Sequence, residues 1–281
     1  MISVKPVKKV GLFCNARDEK HIREWAAHHL LIGFDHIIIF DHNSIVPIST
    51  YFGNFDKRVI ILRYSTLPGQ NNIKKTLMNK AIRAARLLQL DWFIYLDADE
   101  FIILNNDLRG VKDLLNRYYF ADSLAINWLM FGTNHLKNDP NGLILDNYTK
   151  SELFLDKHVK SFVRPFQAIQ STNPHFYNIK NKKNMCALNT VLNPNKEPYS
   201  FNTHHIEYTK AHAFIAHHVY QSEETYVKRK VNLPSDNSGT MRPKIDIDHI
   251  NSLHNANENI FPKLKYAENI KKFLQQYGHK Y

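Results

Sequence analysis

Short apolar, β-rich runs alternate with helical patterns through the first hundred residues, and this alternation restricts the fold more than anything else in the chain. Val10–Cys14, Ile37–Phe40, Val59–Leu62 and Trp92–Leu96 read as strands, being too short for helices and rich in β-branched or aromatic residues. Between them, His21–Ile32 sets Ile22, Trp25, Ala26, His29 and Leu30 on one helical face before Gly33 stops it. Asn72–Gln89 sets Ile73, Leu77, Ala81, Ala84, Ala85 and Leu88 opposite a basic stripe of Lys80, Arg83 and Arg86. Strands separated by helices need crossover connections, so the expectation is an α/β fold with a mostly parallel sheet covered on both faces. Ligands of such sheets sit beyond the carboxyl ends of the strands. Three of the four ends carry polar clusters, Asn15–Glu19, Asp41–Ser44 and Asp97–Glu100, which places them along one edge.

Beyond a helix predicted at Leu108–Tyr119 the regularity loosens. Leu124–Phe131 and Val159–Val163 read as strands, followed by a polar stretch, Asn173–His205, rich in Asn, Lys and Pro. Glu223–Val231 reads as a short helix and Pro234–Pro243 as a loop. Pro262–Tyr277 reads as an amphipathic helix through Leu264, Ala267, Ile270, Phe273 and Leu274. There is no internal repeat. At 281 residues the chain suits one domain better than two. The longest apolar window, Leu30–Phe40, is broken by Gly33, Asp35 and His36, so no membrane span is expected. Lys5, Lys8 and Lys9 precede an apolar run too short for a signal peptide, and the expectation is a soluble, cytoplasmic protein. The two cysteines, Cys14 and Cys186, suffice for neither a disulfide framework nor a metal knuckle.

Lys and Arg number 37 against 26 Asp and Glu, a net charge of +11 that attracts anions without choosing among nucleic acid, acidic lipid and phosphorylated small molecules. A basic nucleic-acid-binding protein is one reading, but the chain shows no zinc knuckle, helix-turn-helix or aromatic RNA-binding signature, and no specific nucleic acid is expected. The acidic strand end points elsewhere. Asp97 and Asp99 lie two apart, so an extended backbone would project both carboxylates to one side, a pair of hard ligands suited to Mg²⁺ or Mn²⁺. A metal there would bridge a diphosphate and stabilise the charge that develops as it leaves. A metal-dependent phosphohydrolase using Asp97, Asp99 and His217 is a further alternative.

Asp91-Trp92-Phe93-Ile94-Tyr95-Leu96-Asp97-Ala98-Asp99-Glu100-Phe101 resembles the D-x-D-E-F segment of family 92 glycosyltransferases and their family 2-like relatives. Upstream, Arg17-Asp18-Glu19 stands where that family has Lys-Asn-Glu. Glu24-Trp25, His29, Gly33, Asp35-His36, Asp41 and Ser44 follow its spacing. Downstream, Trp128 with Phe131-Gly132, then Lys160-Ser161-Phe162-Val163-Arg164-Pro165 and His175, and finally His217 with Ser222 and Glu223-Glu224, continue the series to about residue 230. Asp18, His218 and Gln221 depart from the family's Asn, Tyr and Lys, and the tail after Val231 is not covered.

The resemblance implies a GT-A fold, a Rossmann-like nucleotide-binding half with a mixed, mostly parallel sheet fused to an irregular acceptor-side half. The halves fall at about residues 8–110 and 111–230, with a loop and terminal helix in 231–281. It implies transfer of a sugar from a nucleotide-sugar donor to an acceptor hydroxyl, on a glycan or glycoprotein, with Mn²⁺ or Mg²⁺ and with inversion. Asp99 would bind the metal, Asp97 the ribose or the metal through water, and His217 would be the third ligand, with His218 as its alternative. Arg17, Glu19 and Asp41 would hold the nucleotide, and Lys160 and Arg164 the diphosphate. Glu19 reads equally as a helix N-terminal acid and Asp41 as a turn former. Inversion requires a base, for which His135, Asp139 and Asp156 remain open candidates. Trp25 and His29 read as packing residues. The basic surface leaves peripheral membrane contact open.

Overall fold

The computed structural model describes residues 6–66, 72–189, 206–232, 241 and 247–279. Strand β1 (Val10–Ala16) is followed by α1 (Ile22–Leu31), β2 (His36–His42), β3 (Val59–Tyr64), α2 (Ile73–Leu87), β4 (Trp92–Tyr95), β5 (Glu100–Leu104), α3 (Val111–Arg117) and β6 (Ser123–Met130). After these come α4 (Ile144–Asn147), β7 (Lys150–Ser151), β8 (Val159–Val163), β9 (Ala168–Asn173), β10 (Phe176–Ile179) and β11 (Met185–Ala187). The last elements are β12 (Ala213–His217), α5 (Glu223–Tyr226) continued by a wide turn over Val227–Val231, α6 (Ile247–His254), β13 (Asn257–Glu258) and α7 (Glu268–Gln275).

The main sheet runs in the order β3-β2-β1-β4-β8-β6-β12-β5, with β11 beside β6. The first four strands are parallel, as their alternation with helices requires. β8 runs antiparallel to both β4 and β6, and β5 antiparallel to β12, so the second half is mixed. The carboxyl ends of β1, β2, β4, β6 and β12 therefore share one edge with the starts of β5 and β8. This is the α/β architecture expected of the chain.

β1 shows why its sequence reads as an unbroken apolar run rather than an alternating one. Leu12 and Cys14 face the core under α1 and α3, while Phe13 faces the core under α2, where Leu77, Met78, Ala81 and Ala85 pack with Phe93 and Tyr177. α1 does more than cover the sheet. Its Trp25 donates from Nε1 to the Glu100 carbonyl at 2.8 Å, and His28 meets the Ile102 carbonyl at 2.8 Å. Ile102 N–H in turn donates to His29 Nε2 at 3.4 Å. The packing role expected of Trp25 and His29 is thus a clamp on β5, the strand that leaves the acidic turn.

One local boundary shifts, one stretch gains strands, and one expected loop goes untested. The helix at Leu108–Tyr119 starts only at Val111, whose N–H goes to the Ile32 carbonyl that ends α1. The polar stretch Asn173–His205 contains β10 and β11, and its residues 190–205 lie outside the described residues. The loop Pro234–Pro243 also lies outside them, except for Met241. Among the described residues no helix is long and apolar enough to cross a membrane.

Candidate active site

The backbone does not stay extended through the acidic motif. β4 ends at Tyr95, Ala98 and Asp99 form a turn, and Glu100 N–H donates back to the Asp97 carbonyl at 3.1 Å as β5 begins. Glu100 Oε2 closes the turn by accepting from Asp97 N–H at 3.0 Å. The expectation that Asp97 and Asp99 project to the same side rests on an extended strand and is corrected here: the turn sends them to different partners.

Asp97 meets two ammonium groups, Lys74 from the first turn of α2 and Lys160 from β8, the latter at 3.2 Å. Burial pushes its carboxyl up, yet Lys160 and Lys74 hold it well below the usual carboxylate range. Lys160 is itself buried and also lies 3.5 Å from Glu100 Oε1. Glu100 responds in the other direction: burial raises it to about 7 against the pull of Lys160. Asp99 faces His217, with Oδ1 3.5 Å from Nε2, and Arg229, with Oδ2 3.5 Å from Nη2. Arg229 bridges onward to Glu19 on the loop after β1. Four carboxylates, Glu19, Asp97, Asp99 and Glu100, are thereby interleaved with three cations that are buried or nearly so.

β12 supplies His217 at its last position, paired in register with Glu100 of β5 and Met130 of β6. Its neighbour His218 packs instead between Phe101, Phe131 and Tyr148, and burial pushes its imidazole down to about 3. The strand's alternation decides between the two: His217 is the one facing the acidic turn. His217 lies against Trp128, ring centroids 4.3 Å apart, and the same indole carries His158 at 5.2 Å and His175 at 5.1 Å. Asp156 Oδ1 lies 2.6 Å from His158 Nδ1, leaving Nε2 as the imidazole's other polar atom on a part-exposed side chain.

A divalent cation fits between Asp99 and His217 better than at Asp97. A nitrogen and an oxygen 3.5 Å apart are too distant for a good hydrogen bond but close to the roughly 3 Å separating adjacent ligands around a small divalent ion. Both oxygens of Asp97 are engaged by lysines. Among the described residues no three His, Cys, Asp or Glu side chains converge as a closed metal site. Water and ligand oxygens would complete the shell, as Mg²⁺ and Mn²⁺ prefer.

The remaining expected site residues divide. Glu19 joins the cluster through Arg229, and Arg17 sits half-buried two residues before it. Asp41 is buried, and its oxygens accept from the N–H groups of Ser44 and Ile48 and from Arg63 Nη1, the last at 2.7 Å, so its carboxylate secures the loop after β2. Arg164 is not brought to the cluster. It lies at the opposite edge, stacked 4.4 Å over Trp92 and donating to the Ala121 and Tyr119 carbonyls. His135 is exposed, and Asp139 accepts from the hydroxyls of Ser222 and Thr225. Lys74, Arg229 and His158 escape a motif reading, and Glu100 lies in the acidic motif without a role assigned to it. The Asp156-Lys157-His158 spacing carried a signal for His158, because a carboxylate two residues before an imidazole can orient it.

The family model of Glycosyltransferase family 92 matches residues 11–261, past Val231 where the motif series ends. A glycosyltransferase family 92 protein of Ricinus communis is 28% identical over 157 residues, covering 54% of this chain and 28% of that protein's length. Two solved structures give distant likenesses. S. aureus TarS 1–349 in complex with UDP has a TM-score of 0.35 at 13% identity, covering 56% of this chain and 47% of that one. Rv0371C of Mycobacterium tuberculosis H37Rv in complex with manganese has a TM-score of 0.26 at 9% identity, covering 43% and 66%.

Proposed function

The chain belongs to glycosyltransferase family 92, and from that premise we propose that it moves a sugar from a nucleotide-sugar donor to a hydroxyl of a glycan or glycoprotein acceptor, with inversion at the anomeric carbon. The observation that carries this reading is the Asp99–His217 pair, 3.5 Å apart at the carboxyl edge of the sheet, with Arg229 on Asp99 and Lys74 and Lys160 on neighbouring Asp97. Carboxylates alone would repel a diphosphate. Carboxylates alternating with cations can exchange partners with one.

Asp99 and His217 are the residues that would hold Mn²⁺ or Mg²⁺, and the ion would supply charge neutralisation for the departing nucleoside diphosphate. Arg229 is the cation placed to move from Glu19 and Asp99 onto a phosphate oxygen, because its guanidinium is more accessible than either lysine ammonium. Glu19 would then accept from the nucleotide. Lys160 and Lys74 hold Asp97, which fixes the turn that aims Asp99.

Of the groups near the Trp128 wall, His158 has the arrangement of a general base. Asp156 at Nδ1 sets the tautomer that leaves Nε2 able to accept a proton. As the acceptor oxygen attacks the anomeric carbon, its proton passes to Nε2. The bond from that carbon to the diphosphate oxygen breaks, and the developing positive charge is shared with the ring oxygen, as in glycoside hydrolysis.

The test is turnover of a panel of UDP-, GDP- and CDP-sugars with Mn²⁺ by the purified chain. Asp99→Ala should lose at least about 100-fold in donor turnover, the scale of a removed electrostatic stabiliser, while keeping the wild-type melting temperature within a few degrees. Equal turnover by wild type and Asp99→Ala, or none by a folded wild-type chain across the panel, rejects the reading.

A further inference from the structure

The sheet edge opposite the acidic turn collects exposed apolar side chains among cations. Four connections meet there: the end of α2, the turn before β6, the turn after β8, and the segment after β10. They are tied to one another. Arg164 Nη2 donates to the Tyr119 carbonyl at 2.8 Å, and Arg86 donates to the Pro165 and Ala168 carbonyls at 3.0 and 2.7 Å. Lys180 N–H goes to the Gln167 carbonyl at 3.0 Å, and Asp122 N–H to the Asn184 carbonyl at 2.9 Å. From this frame Leu87, Phe120, Phe166 and Ile169 project with 84, 58, 60 and 57% of their surface exposed. Lys8, Lys9, Arg83, Lys180, Lys182 and Lys183 are exposed on the same side of the molecule. The nearby acids are already engaged: Asp91 accepts from the backbone N–H groups of Lys8 and Lys9, and Asp122 accepts from Asn184 and lies 3.8 Å from Arg164.

One exposed Leu or Phe is ordinary, but four on one edge, ringed by cations, mark a contact surface. The mixture selects the partner. Single-stranded nucleic acid would stack on the two Phe rings and match the lysines, yet it offers nothing to Leu87 and Ile169. An anionic bilayer accepts both kinds of group at once, aliphatic and aromatic tips in the interface and ammonium groups among the headgroups. We propose that this edge docks the chain on an anionic lipid surface. The acidic turn, at the other end of the strands, then faces away from the lipid.

The experiment is sedimentation of the full chain with extruded vesicles of phosphatidylcholine alone and of phosphatidylcholine mixed with phosphatidylglycerol. Binding is expected only to the mixed vesicles and should weaken with salt. Phe120→Ser with Phe166→Ser, and separately Lys180→Gln with Lys182→Gln and Lys183→Gln, should each lower the partition coefficient about tenfold or more. All five side chains are exposed, so melting temperatures should stay at the wild-type value. Absence of binding, binding unchanged in both variants, or preference for an oligonucleotide competitor that displaces the vesicles overturns the proposal. The assay needs no sugar donor, so its failure leaves the glycosyltransferase reading intact.

Discussion

At the residue scale, the division of labour between Asp97 and Asp99 follows from one turn. A two-residue spacing on an extended strand would make them equivalent; the turn at Ala98–Asp99 gives Asp97 to Lys74 and Lys160 and Asp99 to His217 and Arg229. The acidic motif was legible because it is contiguous. Of its cations the sequence marked only Lys160, and for a diphosphate rather than for Asp97; Lys74 and Arg229 come from separate elements that no local spacing joins to the motif. His158 was hidden for a related reason, as its relevance depends on the Trp128 indole that brings His158, just ahead of β8, and His217 of β12 together. His158→Gln should reduce transfer by about 100- to 10,000-fold, the usual span for a general base. Asp156→Asn should cost less, since it disturbs the orientation of the imidazole and leaves the imidazole itself in place. Transfer by His158→Gln at the wild-type rate would show that another group takes the proton.

At the element scale, α1 organises more than its apolar face suggests. The sequence marked its helical stripe and its Gly33 stop correctly, and Gly33 takes the left-handed conformation, φ 105°, that ends such helices. Its buried acid was less legible. Glu24 accepts from the N–H groups of Ile144 and Leu145 at 2.7 and 3.0 Å, so a carboxyl group on α1 caps α4, more than a hundred residues away. Burial outweighs those donors and raises Glu24 to about 8, whereas an unfolded Glu titrates near 4.3. Between those values the folded chain retains a proton that the unfolded chain has lost. Stability from this group is therefore greatest below about pH 4 and decreases as pH rises toward 8. Glu24→Gln cannot titrate. The difference in unfolding free energy between wild type and Glu24→Gln should shrink or change sign, at the expense of wild type, across pH 5 to 8 in denaturant titrations. A difference that is flat or grows in favour of wild type would contradict a protonated Glu24.

At the scale of the whole molecule, net charge says little until the topology distributes it. Lys74, Lys160 and Arg229 are locked against carboxylates at one end of the strands, while Lys8, Lys9, Lys180, Lys182 and Lys183 lie exposed at the other. Alternating strands and helices revealed the parallel half of the sheet because crossovers admit few arrangements. The mixed half was less legible because β8, β6, β12 and β5 pair across long sequence separations, with no periodicity to announce their order. One consequence belongs to the assembled edge and to no single residue. On the proposed reading, a divalent ion bound alone at Asp99 Oδ1 and His217 would sit beside the guanidinium of Arg229 at Oδ2, and a nucleoside diphosphate bound alone would face Glu19, Asp97 and Asp99. Bound together, each supplies the countercharge the other lacks, and Arg229 gains a phosphate in place of a carboxylate. Their binding should therefore be cooperative. With the fitting member of UDP, GDP and CDP, the combined rise in melting temperature with Mn²⁺ should exceed the sum of the separate rises by roughly 2–4 °C, the equivalent of about 1 kcal/mol of coupling in a chain of this size. Asp99→Ala should retain a rise with nucleotide but reduce the excess to nothing, since it removes the carboxylate that the ion and Arg229 would share. Additive rises in the wild-type chain would mean that the ion and the diphosphate do not meet at this edge.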